Sequence, residues 1–295
     1  MSVGSTLPIR SHRRKRLRLA LIELGSVTLA LVLLIWSLLP VYNMFLIALD
    51  PEEGEIEFTG NIWLTEPSLD GFHDVLTQEA RYLEDFWHQF GNSVCIGFLT
   101  MSLTLLIGSL ASFAVSRLRL GKGPWLTNAA LLTYAIPASF LVVAYYGIMH
   151  RCGLADSLWA VVATQVTFAT PFALLILQLY GRLVPAELDD AARVDGASAP
   201  QVYMRIYLPL MTPALAVVAI YALLLTWNDY LYQAVLLPAQ NSTASVTQGQ
   251  LFVDTDAEYN AMMAAAIIYV LPPIALVLAL RRYVMASLAA ADITA

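Results

Sequence analysis

The chain has 295 residues, of which 59% are hydrophobic and 13% are charged, and its net charge is −6. A soluble domain of this length is usually about a quarter charged, so the composition argues against a soluble protein. Six apolar runs reach the roughly 20 residues that a helix needs to cross a bilayer: 24–49, 92–115, 125–148, 158–180, 206–237 and 261–280. The sequence therefore predicts an all-α membrane protein with six transmembrane helices.

The basic residues predict the orientation of these helices. If the N-terminus is cytoplasmic, all but two of the 16 lysines and arginines fall on the cytoplasmic side, the exceptions being Arg81 and Arg151. Cytoplasmic loops carry the excess of Lys and Arg in membrane proteins. We therefore expect both termini to be cytoplasmic.

The elements are predicted in chain order as follows. A cytoplasmic basic tail (1–19) comes first, followed by a first transmembrane helix (20–49) and an extracytoplasmic segment (50–87). A transmembrane core of five helices (88–283) and a second cytoplasmic tail (284–295) complete the chain. Within the extracytoplasmic segment, 72–87 is amphipathic enough to predict a helix at the membrane surface. The core contains one long cytoplasmic loop, at 181–205.

This cytoplasmic loop predicts a helical hairpin. Pro185 suits the first turn of a short helix, and Glu187, Asp189 and Asp190 favour its positive N-terminal end. Gly196 suits the end of that helix, where a left-handed residue is tolerated. A second helical segment follows from about residue 199. A simple connector would need only a few residues, so the longer hairpin indicates an exposed docking element.

The same loop resembles the signature of the permease subunits of binding-protein-dependent ABC importers. That signature is Glu-Ala-Ala, three residues, Gly, nine residues and Ile-x-Leu-Pro. Its spacing is met here by Asp190-Ala191-Ala192, Gly196 and Ile206-x-Leu208-Pro209, with Asp190 in place of Glu. The resemblance extends over about 92–282. Together with the long first outer loop, Trp227-Asn228-Asp229-Tyr230 is most similar to the smaller subunit of the maltose-type, carbohydrate-uptake branch.

The resemblance implies a fold, a location and a coupling site. The fold is that of a type I ABC importer permease with a cytoplasmic coupling-helix hairpin, in the bacterial cytoplasmic (inner) membrane. The residues implied to couple to the ATPase are Glu187, Asp190, Ala191, Ala192, Asp195, Gly196 and Ala197, with Ile206, Leu208 and Pro209 at the end of the motif.

The resemblance also implies the partners of the chain. They are a second permease subunit in a heterodimer, two ATPase subunits, an extracytoplasmic solute-binding protein, the lipid bilayer and a sugar-like solute, with no nucleic acid. The sequence contains no Gly-x-x-x-x-Gly-Lys-[Ser/Thr] phosphate loop. ATP and Mg²⁺ are therefore expected on the partner ATPase, and this chain is expected to be no enzyme, with no cofactor, catalytic residue or metal site.

Polar and aromatic residues within the spans are candidates for the solute pathway. An intramembrane carboxylate such as Asp229 is costly and tends to face a pathway or a partner, although near a helix end it could instead be hydrated or cap the helix. Side chains that combine an apolar body with a polar tip could stack on a sugar or bond to it: Tyr134, Tyr145, Tyr146, Trp227, Asn228 and Tyr232. Each could equally serve membrane packing or interface anchoring.

Three other interpretations stay open. The solute could be a non-sugar polyol or a phosphorylated or sulfonated compound. The chain could be an ion-coupled secondary transporter, which would favour inverted repeats and paired broken helices; no clear repeat is present in the sequence. It could also be a membrane-embedded enzyme, which would need a reactive cluster at membrane depth.

Overall fold

A computed structural model describes residues 9–51, 63, 66–79, 83–118, 123–251 and 258–292. These residues form helices and connecting turns, with no strand among them. The helices in chain order are α1 Ile9–Ala48, α2 Asp70–Thr77, α3 Phe86–Arg117, α4 Gly123–Leu132, α5 Ala138–Arg151, α6 Leu158–Gly181, α7 Glu187–Val194, α8 Ala199–Val202, α9 Leu208–Leu210, α10 Thr212–Trp227, α11 Leu231–Leu236, α12 Ala244–Leu251 and α13 Tyr259–Asp292.

The described residues fall into two compact units, one of them drawn from 1–73 and 258–264. Its helix α1 begins at Ile9, inside the segment predicted as a tail. The backbone N–H of Asp70 donates to the Ser68 hydroxyl (3.0 Å) at the start of α2. A Cβ at Gly71 would lie 2.7 Å from the carbonyl carbon of Asn260. Only glycine allows so close an approach of two backbones.

The second unit is drawn from 74–257 and 265–295 and is built on α3, α6 and α10, which pack on one another. Small residues allow the helices to approach closely, since a Cβ at Gly108 of α3 would lie 3.0 Å from the Cβ of Ala173 on α6. One apolar cluster, which includes Phe113, Leu177 and Met211, lies where α3 and α6 end and α10 begins. This end of the unit carries the loop singled out in the sequence.

The described residues contain four helices that could each span a membrane, and up to six spans when each of two bent helix pairs is counted as one. Four helical stretches are each long and apolar enough to cross a membrane: Leu19–Ala48, Phe86–Arg117, Leu158–Gly181 and Tyr259–Met285. Two bent pairs pass the same test only when their two helices are taken together: Thr127–Ala135 with Ala138–Arg151, bent by 106°, and Ala199–Leu210 with Thr212–Trp227, bent by 77°. The predicted all-α membrane fold is confirmed, and the predicted number of six spans is reached when each bent pair is counted as one span.

The prediction of a continuous third helix over 125–148 is wrong. A 3₁₀ turn at Thr133–Ala135 separates α4 from α5. Ile136 then has an extended backbone (φ −91°, ψ 118°), as expected of a residue that precedes a proline. Pro137 therefore ends one helical segment and begins the next.

The prediction of a continuous fifth helix over 206–237 is also wrong. The chain passes through a π-helical turn, Tyr203–Tyr207, bends at Met211 and leaves α10 at Trp227. Pro213 lacks the N–H that would bond to the carbonyl of Pro209. The Thr212 hydroxyl donates to that carbonyl instead, at 2.8 Å, which satisfies the acceptor at the bend.

The predicted surface helix over 72–87 is wrong as well. Helix α2 ends at Thr77, and Gln78 has a positive φ of 59°, which no helix continues through. Helix α3 then begins at Phe86. Residues 52–62, 64–65 and 80–82 of the predicted extracytoplasmic segment lie outside the described residues.

Candidate functional site

The signature loop forms a hairpin of α7, α8, the π-helical turn and α9, residues 187–210, called here the α7–α9 hairpin. Helix α7 ends in a sharp reversal at Gly196, which has a φ of +88°. The N–H of Ala197 donates to the carbonyl of Ala192 (2.9 Å), and that of Gly196 donates to the carbonyl of Arg193 (3.0 Å). This pair of bonds is the Schellman pattern, which favours glycine at the left-handed position.

The α8 arm begins directly after the reversal. The side-chain oxygen of Gln201 accepts bonds from the backbone N–H (2.7 Å) and the hydroxyl (3.1 Å) of Ser198. These two bonds from Ser198 to Gln201 fix the entry into α8. Beside it lies a pocket of about 240 Å³, lined by Asp195, Gly196, Ala197, Gln201, Arg205 and Ile206.

A buried ion pair attaches α7 to the end of α3. The Nε of Arg117 lies 3.2 Å from a carboxylate oxygen of Asp189, and both side chains are buried. The Arg117 Nη2 also donates to the carbonyl of Val184 (3.0 Å) and, more weakly, to that of Gly181 (3.4 Å). One guanidinium therefore holds both the segment that leads into the hairpin and the first turn of its helix.

Two tyrosine hydroxyls attach the other arm of the hairpin to the same helix. The hydroxyls of Tyr203 and Ser109 are 2.7 Å apart, and the Tyr207 hydroxyl donates to Ser112 at 3.0 Å. Both bonds are buried, and the Phe113 ring packs edge-on against the two tyrosine rings, with centroids 5.3 and 5.1 Å away. The α7–α9 hairpin is therefore fastened to α3 by polar contacts from both arms.

The predicted coupling residues divide between an outer and an inner surface of the hairpin. Ala192 and Ala197 are half-buried and pack against the cluster around Phe113. The exposed members are Glu187, Asp190, Ala191, Asp195 and Gly196. At the end of the motif Ile206 and Leu208 are half-buried and Pro209 is exposed. Asp189 and Arg117, which hold the hairpin in place, were not among the predicted site residues.

The predicted pathway residues do not form one cluster. Tyr145 and Tyr232 pack with Phe168, their ring centroids 5.4 and 5.2 Å from its own. Trp227 is buried and stacks on Tyr269, whose hydroxyl donates to the Trp227 carbonyl at 2.8 Å. These contacts are internal packing of the helices.

Asp229 and Asn228 contact local backbone at the end of α10. A carboxylate oxygen of Asp229 accepts from the backbone N–H of Gln233 (3.2 Å) at the start of α11. The Asn228 side-chain amide donates to the carbonyl of Leu224 (2.9 Å). Of the two roles considered for Asp229, capping of a helix is the one with a contact to support it.

Tyr134 and Tyr146 are exposed in this chain. The Tyr134 hydroxyl donates to the carbonyl of Phe168 and lies 3.5 Å from the hydroxyl of Tyr221. The Tyr221 ring in turn packs on Phe172, with centroids 4.0 Å apart. Tyr221 and Phe172 were not among the predicted pathway residues. The only sequence signal for them was that each is an aromatic residue inside an apolar run.

Residues 104–289 match the family described as the inner membrane component of binding-protein-dependent transport systems. The chain belongs to this family. It is 29% identical over 267 residues to the inner membrane ABC transporter permease protein YcjP of Escherichia coli, covering 90% of this chain and 94% of the relative. It is 27% identical over 256 residues to the arabinooligosaccharides transport system permease protein AraQ of Halalkalibacterium halodurans, covering 85% and 89%.

A solved bacterial ABC transporter involved in the import of the acidic polysaccharide alginate has a chain of the same fold. Its TM-score is 0.72 at 19% identity, over 95% of this permease and 99% of that chain. The predicted family and type I importer permease fold are confirmed, and the permease is a multi-pass inner-membrane protein. The broken spans expected of secondary transporters are present, but family membership identifies a binding-protein-dependent system.

Proposed function

We propose that this permease forms half of the translocation pathway of an ABC importer for a sugar or sugar derivative delivered by a solute-binding protein. The family is defined by dependence on such a binding protein. A relative that matches most of the chain is named for the transport of arabino-oligosaccharides, which supports a carbohydrate solute. The observation that carries the proposal is the exposed α7–α9 hairpin, fastened to the spanning helix α3 by the Arg117–Asp189 ion pair.

The proposed complex contains a second, different permease subunit and two ATPase subunits that bind ATP and Mg²⁺. This chain has no phosphate loop of its own, so the hydrolysis that drives import takes place on the partners. The basic residues favour cytoplasmic termini, which puts the α7–α9 hairpin on the side of the ATPases and opposite the binding protein.

The outer surface of the hairpin suits protein docking. Val194 is 88% exposed and Leu188 is 46% exposed on α7, whose other residues are four charged side chains and two alanines. In the proposed complex these residues enter a cleft of one ATPase, and Asp190 lies on the exposed side of the same helix.

The anchoring contacts supply a route for coupling. An ATPase that closes on ATP would displace α7, and the ion pair with Arg117 would carry that displacement to the end of α3. The bonds of Tyr203 and Tyr207 to Ser109 and Ser112 prevent the hairpin from rotating independently of α3. Movement of α3, with α6 and α10 packed on it, would then open or close the pathway.

Reconstitution tests the proposal. The permease is assembled in proteoliposomes with a second permease and an ATPase that copurify with it, and a solute-binding protein is supplied outside. Radiolabelled arabino-oligosaccharides, malto-oligosaccharides and glycerol phosphate are compared, each with and without ATP inside. Uptake of a sugar that requires ATP and the binding protein is expected. Uptake that persists without ATP but collapses with ionophores would contradict it, and uptake of glycerol phosphate alone would favour the non-sugar alternative.

A further inference from the structure

The two broken spans differ in what covers their breaks. The break at Met211 is inside the unit, since Met211 is fully buried. At the break between α4 and α5, by contrast, every residue from 132 to 140 is exposed in this chain. Ile136 is 51% exposed and Phe140 is 77% exposed.

When the bent pair is taken as one span, the exposed break lies at membrane depth. The segments Thr127–Ala135 and Ala138–Arg151 on its two sides correspond to roughly 13 and 21 Å of helix at about 1.5 Å per residue. Non-helical backbone inside a bilayer is tolerated only where protein covers it or water reaches it, because lipid offers no hydrogen-bonding partners. The break therefore faces either a protein partner or a water-filled pathway.

Three aromatic side chains from three helical segments meet beside this break, and they are called here the Tyr134 face: Tyr134, Phe172 and Tyr221. Tyr134, from the 3₁₀ turn, is 44% exposed, and Phe172 on α6 and Tyr221 on α10 are half-buried. The rings of Phe172 and Tyr221 have centroids 4.0 Å apart at 32°. Within the described residues, the hydroxyl of Tyr221 has one polar contact, with the hydroxyl of Tyr134 at 3.5 Å.

We infer that the Tyr134 face lines the solute pathway and contacts the ring of a transported sugar. The inference rests on the proposed function and names a contact site for its solute. A sugar ring has C–H faces that stack on aromatic rings and hydroxyls that bond to phenol groups. At 3.5 Å the bond between Tyr134 and Tyr221 is longer than the usual 2.5–3.0 Å of an O–H···O bond, so the Tyr221 hydroxyl retains capacity to bond a solute hydroxyl.

Cysteine labelling in the complete importer tests the inference. Cys95 and Cys152, both free and exposed, are first replaced by serine. Tyr134→Cys and Tyr221→Cys are then introduced singly, with Trp36→Cys as the control, because Trp36 is 77% exposed on the apolar helix α1. Proteoliposomes are treated with a membrane-impermeant thiol reagent during ATP turnover, with and without arabino-oligosaccharides, malto-oligosaccharides or glycerol phosphate.

Labelling of positions 134 and 221, slowed by the transported sugar, is expected, with no labelling at position 36. No labelling at either tyrosine position would overturn the inference, because lipid or the second permease would then cover the face. If a sugar that the wild-type importer transports does not slow the labelling, the proposed contact with the sugar is overturned. Glycerol phosphate could instead protect the two cysteines from labelling in an importer that takes up no sugar. That result would refute the sugar as ligand and the proposed solute class, but the Tyr134 face would still line the pathway.

A conservative variant separates contact from structure. Tyr221→Phe keeps the ring that packs on Phe172 and removes only the hydroxyl. The KM of sugar uptake is expected to rise roughly 2- to 10-fold, the effect of losing one hydrogen bond, with ATPase coupling and expression unchanged. An unchanged KM would exclude the hydroxyl from solute contact.

Discussion

The Nε of Arg117, at the C-terminal end of α3, lies 3.2 Å from a carboxylate oxygen of Asp189 on α7, and both side chains are buried. The next residue, Asp190, is the one that aligns with the acidic residue of the family signature, and it is exposed. Two neighbouring carboxylates on one helix therefore have different surroundings. One belongs to the internal attachment of the hairpin, and the other lies on its outer surface.

This difference predicts unlike effects of two neighbouring substitutions. Asp189→Asn leaves the buried guanidinium of Arg117 without its charged partner, and breaking a buried pair in this way costs about 3–5 kcal/mol. Asp190→Asn removes an exposed charge from the first turns of α7, where the helix dipole is worth about 0.3–1 kcal/mol. Thermal unfolding of the purified permease in detergent should show a large loss for Asp189→Asn and a small one for Asp190→Asn. Equal losses would contradict the assignment of the buried contact to Asp189.

Most of the fold could be predicted from the sequence, because a bilayer imposes a length on every span and the six apolar runs meet it. The signature spacing also indicated the hairpin, and its glycine has the positive φ expected there. The two breaks could not be predicted in the same way. Pro137 and Pro213 occur in apolar runs, and proline is frequent in membrane helices, so neither residue alone distinguishes a kink from a break.

The anchoring pair was missed for a different physical reason. Asp189 and Asp190 carry the same carboxylate and differ by about 100° in direction around a helix of 3.6 residues per turn. Which of them is buried depends on the position of Arg117, which belongs to a helix distant in sequence. A local pattern contains no information on that contact. The same holds for Tyr221 and Phe172, which meet only when α10 packs on α6.

The tyrosine–serine contacts predict a measurable coupling energy. Tyr207→Phe and Ser112→Ala each remove one side of a buried 3.0 Å hydrogen bond, and a bond of this kind contributes about 0.5–1.5 kcal/mol. In a double-mutant cycle on thermal or denaturant unfolding, the two changes should cost less together than the sum of their separate effects. Tyr230→Phe, at a tyrosine that is 45% exposed outside the hairpin, is the control and should have little effect. Additive losses would show that the bond does not contribute.

Substitutions at Gly196 allow the stability of the α7–α9 hairpin and its docking to the ATPase to be measured separately. Apart from the two neighbouring residues, a Cβ at this position would meet no atom of the described part of the chain within 4 Å, while the φ of +88° strains ordinary L-residues. Gly196→Ala should therefore lose about 1–2 kcal/mol of stability, and Gly196→Asn should lose less, because asparagine visits the left-handed region more readily. Hydrogen exchange at the hairpin amides would measure both losses.

The asparagine variant then tests the docking surface. If the ATPase cleft lies against Gly196, Gly196→Asn should fold and insert normally but retain less ATPase on copurification. Full retention of the ATPase and full uptake with Gly196→Asn and with the larger Gly196→Trp would show that the partner does not approach this residue.

The two alanines of the signature predict a contrast between folding and docking. Ala192 is half-buried against the cluster around Phe113, and Ala191 is exposed. Ala192→Leu adds three carbons to packed surroundings, and overpacking of that kind costs about 1–3 kcal/mol. Ala191→Leu adds the same atoms to an open surface of the free permease. Ala192→Leu should therefore lower the unfolding temperature of the isolated permease, whereas Ala191→Leu should leave it unchanged and weaken only the association with the ATPase.

Unfolding of the purified chain and copurification of the assembled importer would measure the two effects separately. A normal unfolding temperature for Ala192→Leu, with loss of the ATPase, would place Ala192 at the interface and refute the inward packing as the reason for its small size.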